Sequence, residues 1–438
     1  MLNHIWLALI LISVGIGAWN GHLPEVTKGA LDGAKSAVVD VILPLVGTLA
    51  VWMGIMRLAE RSGLVELLAR ALRPIMRFLF PDVPPEHPAM GAMVMNIAAN
   101  MLGLGNAATP MGLKAMGHLE RINPRPGTAT NAMCTFLAIN TSSVQLIPAT
   151  VVAFLAAKGA KEPTAIVGTA LVATSCACVV GVTSAKLLQK LPVFALPPPS
   201  ARERIDRENA AATDATDETP VVPPMVKGGF VVVGIFGLLA LATFIHEAFF
   251  TARRDTGHPF LAVVSTVSLL AIPLMLAFFP LYAALRGLKV YAEFVEGAKE
   301  GVQVAIKIVP FLVSMLMAIG MFRGSDGLRL LTEGLRPVLT RIGFPADLLP
   351  LVLMRPLSGG GTQGIFVDLL NHFPPDGLIV RTAGTIFGST ETTFYVLAVY
   401  FGSVAIRRTR HAVLAGLIAD ATGVAVSVII CRVMFGGR

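Results

Sequence analysis

The chain has 438 residues, 54% of them hydrophobic and 14% charged, with a mean hydropathy of +0.72 and a formal net charge of +8. Soluble domains carry about 25% charged residues, so this balance excludes an ordinary water-soluble domain and identifies an all-α polytopic membrane protein. The positive charge is not a nucleic-acid footprint: Lys and Arg lie in short loops between apolar runs, as in cytoplasmic loops of membrane proteins.

In chain order, apolar runs of spanning length, about 17–25 residues or more, occupy 4–20, 36–57, 128–157, 163–187, 228–250, 259–285, 301–322, 378–403 and 409–432. The first has no basic n-region and no small-residue cleavage site, and is read as a retained helix rather than a signal peptide. Residues 58–80 and 325–344 mix Arg with Leu at helical spacing. Both are expected as amphipathic helices in the interface, although ordinary loop helices fit the same pattern.

Two further apolar regions, 88–112 and 346–372, carry "NIAANMLGLGNAATPMG" and "MRPLSGGGTQG". So many Gly, Asn and Pro at membrane depth predict broken or re-entrant helices, covered by protein or by a water-filled cavity. Residues 195–226 are Pro-rich, charged and aperiodic, which predicts a disordered linker. It separates a membrane half at 1–194 from another at 227–438, giving about eleven membrane segments.

The halves share sequence at nearly constant shifts. "GAK" at Gly33 recurs at Gly297, "LRP" at Leu72 recurs at Leu335, and "FP" at Phe80 recurs at Phe344. "TFLAINTSS" (Thr135–Ser143) lies against "TIFGSTETT" (Thr385–Thr393), and Gly127 lies against Gly377 at the same shift. Interrupted segments at matching positions of two repeats point to a transporter's binding site. If the two irregular regions are re-entrant, the side richer in Lys and Arg holds the N-terminus and the linker. That predicts inverted repeats with both of these cytoplasmic.

Glu391 stands out. A carboxylate at the bilayer centre costs at least about 2.5–3.5 kcal/mol on insertion scales and usually faces a bundle interior. Continuous helix through this region would put Gly384, Gly388, Glu391 and Tyr395 on one face. Ser389, Thr390, Thr392 and Thr393 surround the carboxylate with hydroxyls. The matching segment offers Asn140, Thr141, Ser142 and Ser143. Asn131, Thr135, Ser142 and Gln145 would share a face there, and Pro148 would kink the helix. Two readings are open: a site for a solute, cation or proton, or polar seams that hold helices together.

Asn96 and Asn100 lie one turn apart, Asn106 follows "GLG", and Thr109–Pro110 read as the cap and first turn of a new helix. Ser358 precedes Gly359, Gly360 and Gly361, whose backbone can expose N–H and C=O groups to a ligand or simply turn tightly. Arg355 could meet an anionic group or Glu391. Asp420 lies in a small-residue stripe with Gly416, Gly423 and Ser427, and is a candidate for coupling or for pairing with the "RRTR" run at Arg407–Arg410. Cys134, Cys176, Cys178 and Cys431 read as buried thiols. No metal site, cofactor or nucleophile–base pair is apparent, so an enzyme is not expected.

With these motifs in hand, the chain resembles a natural fusion of two families. "NIAANMLGLGNAATPMGLKAM" and "NTSSVQLIPATVVAF" look like spore maturation protein A. "RPLSGGGTQG" and "GSTETTFYVLAVYFGSVAIRRTRHAVLAGLIAD" look like spore maturation protein B. Both resemble the nucleoside-recognition Gate group, which also includes parts of concentrative nucleoside transporters and of the ferrous iron transport protein B. The resemblance implies a bacterial inner-membrane protein with inverted repeats around a midplane site. The expected function is transport of a small polar solute, nucleoside-like or another metabolite, driven by H⁺ or Na⁺. The rivals are a cation or proton pathway, a non-transporting scaffold for envelope assembly, and lipid handling. Expected partners are membrane lipid, the solute and its ion, with a homo-oligomer left open.

Overall fold

The computed structural model describes residues 2–103, 105–194, 224–251, 258–341 and 343–436. The expected linker, 195–226, lies outside the described residues except at 224–226. The protein is built from α-helices. They are α1 (Leu2–Asn20), α2 (Leu23–Ser36), α3 (Leu43–Arg61), α4 (Leu64–Leu79), α5 (Pro88–Met101), α6 (Gly105–Arg121), α7 (Asn131–Ser142), α8 (Ala149–Ala157) and α9 (Ile166–Leu188). The second half holds α10 (Gly229–His246), α11 (Pro259–Leu285), α12 (Val290–Gly324), α13 (Gly327–Arg341), α14 (Leu349–Met354), α15 (Gly359–His372), α16 (Leu378–Ser389), α17 (Thr393–Ser403) and α18 (Ala412–Phe435).

Among the described residues, four helical stretches are long and apolar enough to cross a bilayer alone: 166–188, 229–251, 259–285 and 412–435. With the shorter apolar helices they make this a multi-pass membrane protein. α12 has 35 residues, about 52 Å at 1.5 Å per residue, so it outreaches a hydrocarbon core of about 30 Å. It packs along α2 and α3. Gly29 and Gly320 make the approach possible, because a Cβ on Gly29 would come 2.3 Å from the Gly320 carbonyl oxygen. Such small-residue contacts replace the hydrophobic drive that lipid removes. Between α3 and α12, Arg57 donates to Glu293 at 2.9 Å and Glu300 at 2.6 Å.

α4 buries Leu64, Val65, Ala69 and Met76 and leaves Phe78 84% exposed, the two-faced pattern expected for 58–80. The order α4 to α9 is repeated by α13 to α18: an amphipathic helix, a helical hairpin, two short helices end to end, and a long apolar helix. At the centre, α7, α9, α16 and α18 pack on one another.

Three expectations are corrected. The runs 128–157 and 378–403 are not single helices. The first breaks at residues 143–148 between α7 and α8, and the second at residues 390–392 between α16 and α17. The proposed one-face stripes therefore end at the breaks: Asn131, Thr135 and Ser142 share α7 and Gly384 and Gly388 share α16, but Glu391 lies in the break, Tyr395 lies beyond it and is 57% exposed, and Gln145 lies beyond the end of α7. Thr109–Pro110 does not start a helix, since α6 begins at Gly105 and carries Pro110 inside it. Asp420 does not pair with the "RRTR" run. Arg410 instead donates to Asn131 Oδ1 at 2.9 Å and to the carbonyls of Ala129 and Phe194.

Candidate functional site

The two breaks have different local causes. In the first, Ser143 takes φ 35° and Pro148 denies Ile147 easy helical backbone. In the second, Thr390 and Thr392 are extended. There the hydroxyl and β-branched side chains compete with the helix ladder. Each break frees backbone groups that must be satisfied inside the protein. The breaks do this partly for each other: the Glu391 N–H donates to the Thr141 carbonyl at 2.6 Å. The Thr174 hydroxyl of α9 donates to the Ser142 and Ser143 carbonyls at 2.7 and 3.1 Å. The hairpin tips complete the arrangement, through Leu146 N–H to the Met101 carbonyl and Phe394 N–H to the Pro356 carbonyl.

Close packing holds the breaks together. A Cβ on Gly388 would lie 2.7 Å from Pro148 Cβ, so glycine admits the first break against α16. Gly416 and Gly423 of α18 face Thr393 and Thr390 in the same way. Between these glycines Asp420 is buried, and its Oδ2 accepts from the Thr393 hydroxyl at 2.5 Å while Oδ1 has no partner.

A cavity of about 170 Å³ lies where the breaks meet the second hairpin. Gln145, Arg355, Gly359, Gln363, Phe387 and Glu391 contribute to its lining. Gln145 Nε2 donates to Glu391 Oε1 at 3.2 Å. Arg355, at the end of α14, is 3% exposed, sits 5.1 Å from the Phe387 ring centroid, and its Nε has no hydrogen-bond partner. Arg355 and Glu391 thus line one cavity without an ion pair between them.

A second group adjoins the first break. Asn140 Oδ1 accepts from Asn100 at 3.0 Å and from the Tyr400 hydroxyl at 3.2 Å. Asn96 donates to Ala108 O and Tyr400 Oη. Other predicted site residues have local roles. The hydroxyls of Ser142 and Ser389 turn back to carbonyls of their own helices. Ser358 caps α15 by accepting from the Gly361 N–H at 3.0 Å, so Gly359, Gly360 and Gly361 form its first turn and only Gly359 reaches the cavity. Thr392 lies beside Gly359, while Thr141 and Ser143 are buried with hydroxyls that have no partner. The side chain of Asn106 lies outside the described residues. Sequence reasoning missed Tyr400, Gln363 and Phe387. Only Gln363, a large polar residue in an apolar stretch, gave a signal.

The Gate family model, described as nucleoside recognition, matches residues 42–158. Over 174 residues the chain is 45% identical to spore maturation protein A of Bacillus subtilis (strain 168), covering 40% of this chain and 88% of that relative. It is 43% identical over 174 residues to spore maturation protein B of the same organism, covering 40% of this chain and 98% of the relative. The crystal structure of the Alcanivorax borkumensis YdaH transporter aligns over 98% of both chains at 16% identity and a TM-score of 0.43, too low to establish a shared fold.

Proposed function

We propose that this chain, which belongs to the family of spore maturation proteins A and B, moves a small polar solute across a bacterial inner membrane through the cavity between its two breaks. One observation carries the reading: a carboxylate and a guanidinium from different elements line one cavity at the meeting point of two broken helices. Buried charges are costly unless something pairs them. Purely structural ones would be expected to pair with each other or be sealed in dry packing.

In this reading Glu391, Gln145 and Arg355 contact the solute, and the backbone around Gly359 closes one wall. The Asn96–Asn100–Asn140–Tyr400 group fixes the first break in place. Glu391 and Asp420 are the carboxylates that couple movement to H⁺ or Na⁺. The two halves would face each other as inverted repeats, with the N-terminus and the 195–226 linker on the cytoplasmic side. The nucleoside-recognition description of the matched family model makes nucleosides one class to screen.

The test is a thermal-shift screen of the detergent-solubilised full chain against nucleosides, amino acids, small organic anions and monovalent cations, repeated on Glu391→Gln. Transport predicts at least one organic solute that raises the melting temperature of the wild type, with the rise reduced in the variant. Stabilisation by a monovalent cation alone would favour an ion pathway. No response to any solute would favour a scaffold.

A further inference from the structure

We propose that the solute of this cavity is a small zwitterion, a compact α-amino acid, whose carboxylate faces Arg355 and whose ammonium faces Glu391. The inference rests on the transport reading above and sharpens it.

Charge balance selects the class. Arg355 is 3% exposed, and its Nε lacks a partner. The Phe387 face offers it only a weak cation–π contact, at 5.1 Å from the ring centroid. A guanidinium presents a planar fork of donors that matches a carboxylate. Glu391 receives one side-chain donor, from Gln145 Nε2, and a carboxylate has about four acceptor positions to fill. An anionic solute would satisfy Arg355 and be repelled by Glu391. A cationic solute would do the reverse. A neutral one, such as a nucleoside, would leave the guanidinium and the carboxylates only their attraction for one another across the cavity. A ligand carrying both charges answers both walls at once.

Size narrows it further. The cavity, at about 170 Å³, is below the range of about 300–1,000 Å³ that holds drug-sized ligands. It has room for several waters, which suits a compact solute. Val151, Pro148 and Phe387 supply an apolar wall for a short side chain, and Thr150 and Gln363 add polar positions beside it. Glycine, alanine and serine meet these demands.

The experiment titrates the wild-type full chain with glycine, L-alanine and L-serine. Acetate and ethylamine serve as single-charge halves, uridine as a neutral and larger control, and melting temperature is the readout. Stabilisation by the amino acids, with weaker or no effect from acetate and ethylamine, is expected. Arg355→Gln and Glu391→Gln should each weaken the response to glycine at least about tenfold. Because the wild-type panel is decisive by itself, a variant that fails to fold does not spoil the test. Stabilisation by uridine without any by amino acids would overturn the zwitterion while leaving transport standing. A response to acetate or ethylamine equal to that to alanine would overturn it too. Silence towards every solute would remove both readings.

Discussion

The side-chain amide of Gln145 donates to Oε1 of Glu391 across 3.2 Å, joining the break of one repeat to the break of the other. Both residues line the cavity. Gln145→Ala removes a donor to a charged acceptor, an interaction of about 1.5–3 kcal/mol. The expected result is a KM for solute uptake into proteoliposomes raised about tenfold or more, with the melting temperature little changed. An unchanged KM would show that this hydrogen bond does not organise the site.

Glycine at position 388 is a packing requirement. Gly388→Ala places a Cβ 2.7 Å from Pro148 Cβ, and overpacking of this kind costs about 1–3 kcal/mol. The variant should melt at a lower temperature. Gly234→Ala in α10, where nothing lies within 4 Å of the added methyl, should be neutral or slightly stabilising. Equal effects at the two positions would contradict the close approach of the breaks.

The Tyr400 hydroxyl ties α17 to both Asn96 and Asn140. Tyr400→Phe should cost about 1–2 kcal/mol. With Asn140→Ala it should show a coupling of about 0.5–2 kcal/mol in a double-mutant cycle. Strict additivity would mean that the hydroxyl and amide act independently.

How much of this was legible in the sequence follows from the kind of signal each feature leaves. The paired breaks were visible as a region: "NTSSVQLIP" and "GSTETT" put polar groups where lipid-facing residues belong, and the shift between them was constant. Their conformation was not. Apolar residues on both sides of Thr390–Thr392 continue without Pro or Gly at the break itself, so pattern reasoning ran one helix through it. The local hydroxyl and β-branched side chains only weaken the helix there; the groups that satisfy the open break are distant, since the Thr141 and Pro356 carbonyls take the freed N–H groups of Glu391 and Phe394. The irregular regions at 88–112 and 346–372 were read correctly as interrupted, because Gly and Asn act locally. Arg355 and Glu391 signal themselves as scarce charges at membrane depth, and both line the cavity, whereas Tyr400 reads as one more aromatic in an apolar run.

Asp376 gives a pH-dependent prediction away from the membrane core. It accepts from the Lys161 and Glu162 N–H groups at 2.9 and 3.3 Å and from Arg381 at 3.4 Å, tying the loop before α9 to the start of α16. Partial burial raises its carboxyl, but these donors outweigh burial and hold it below the usual aspartate range. A depressed carboxylate stabilises the fold above its unfolded value, about 3.9. That contribution disappears as pH falls through the lower folded value. Asp376→Ala should therefore melt below the wild type at neutral pH, and the gap should narrow only in acid below about pH 4. A gap that does not change with pH would show that the charge contributes nothing.

The most direct test is solute uptake into proteoliposomes holding equal amounts of folded wild type or Glu391→Gln, with the amide keeping the shape of the carboxylate. If a polar solute crosses between the two breaks under the control of this charge, uptake falls by at least about tenfold while the melting temperature and Gln145 packing are retained. Uptake by the variant at the wild-type rate would place the path elsewhere and leave Glu391 a structural residue.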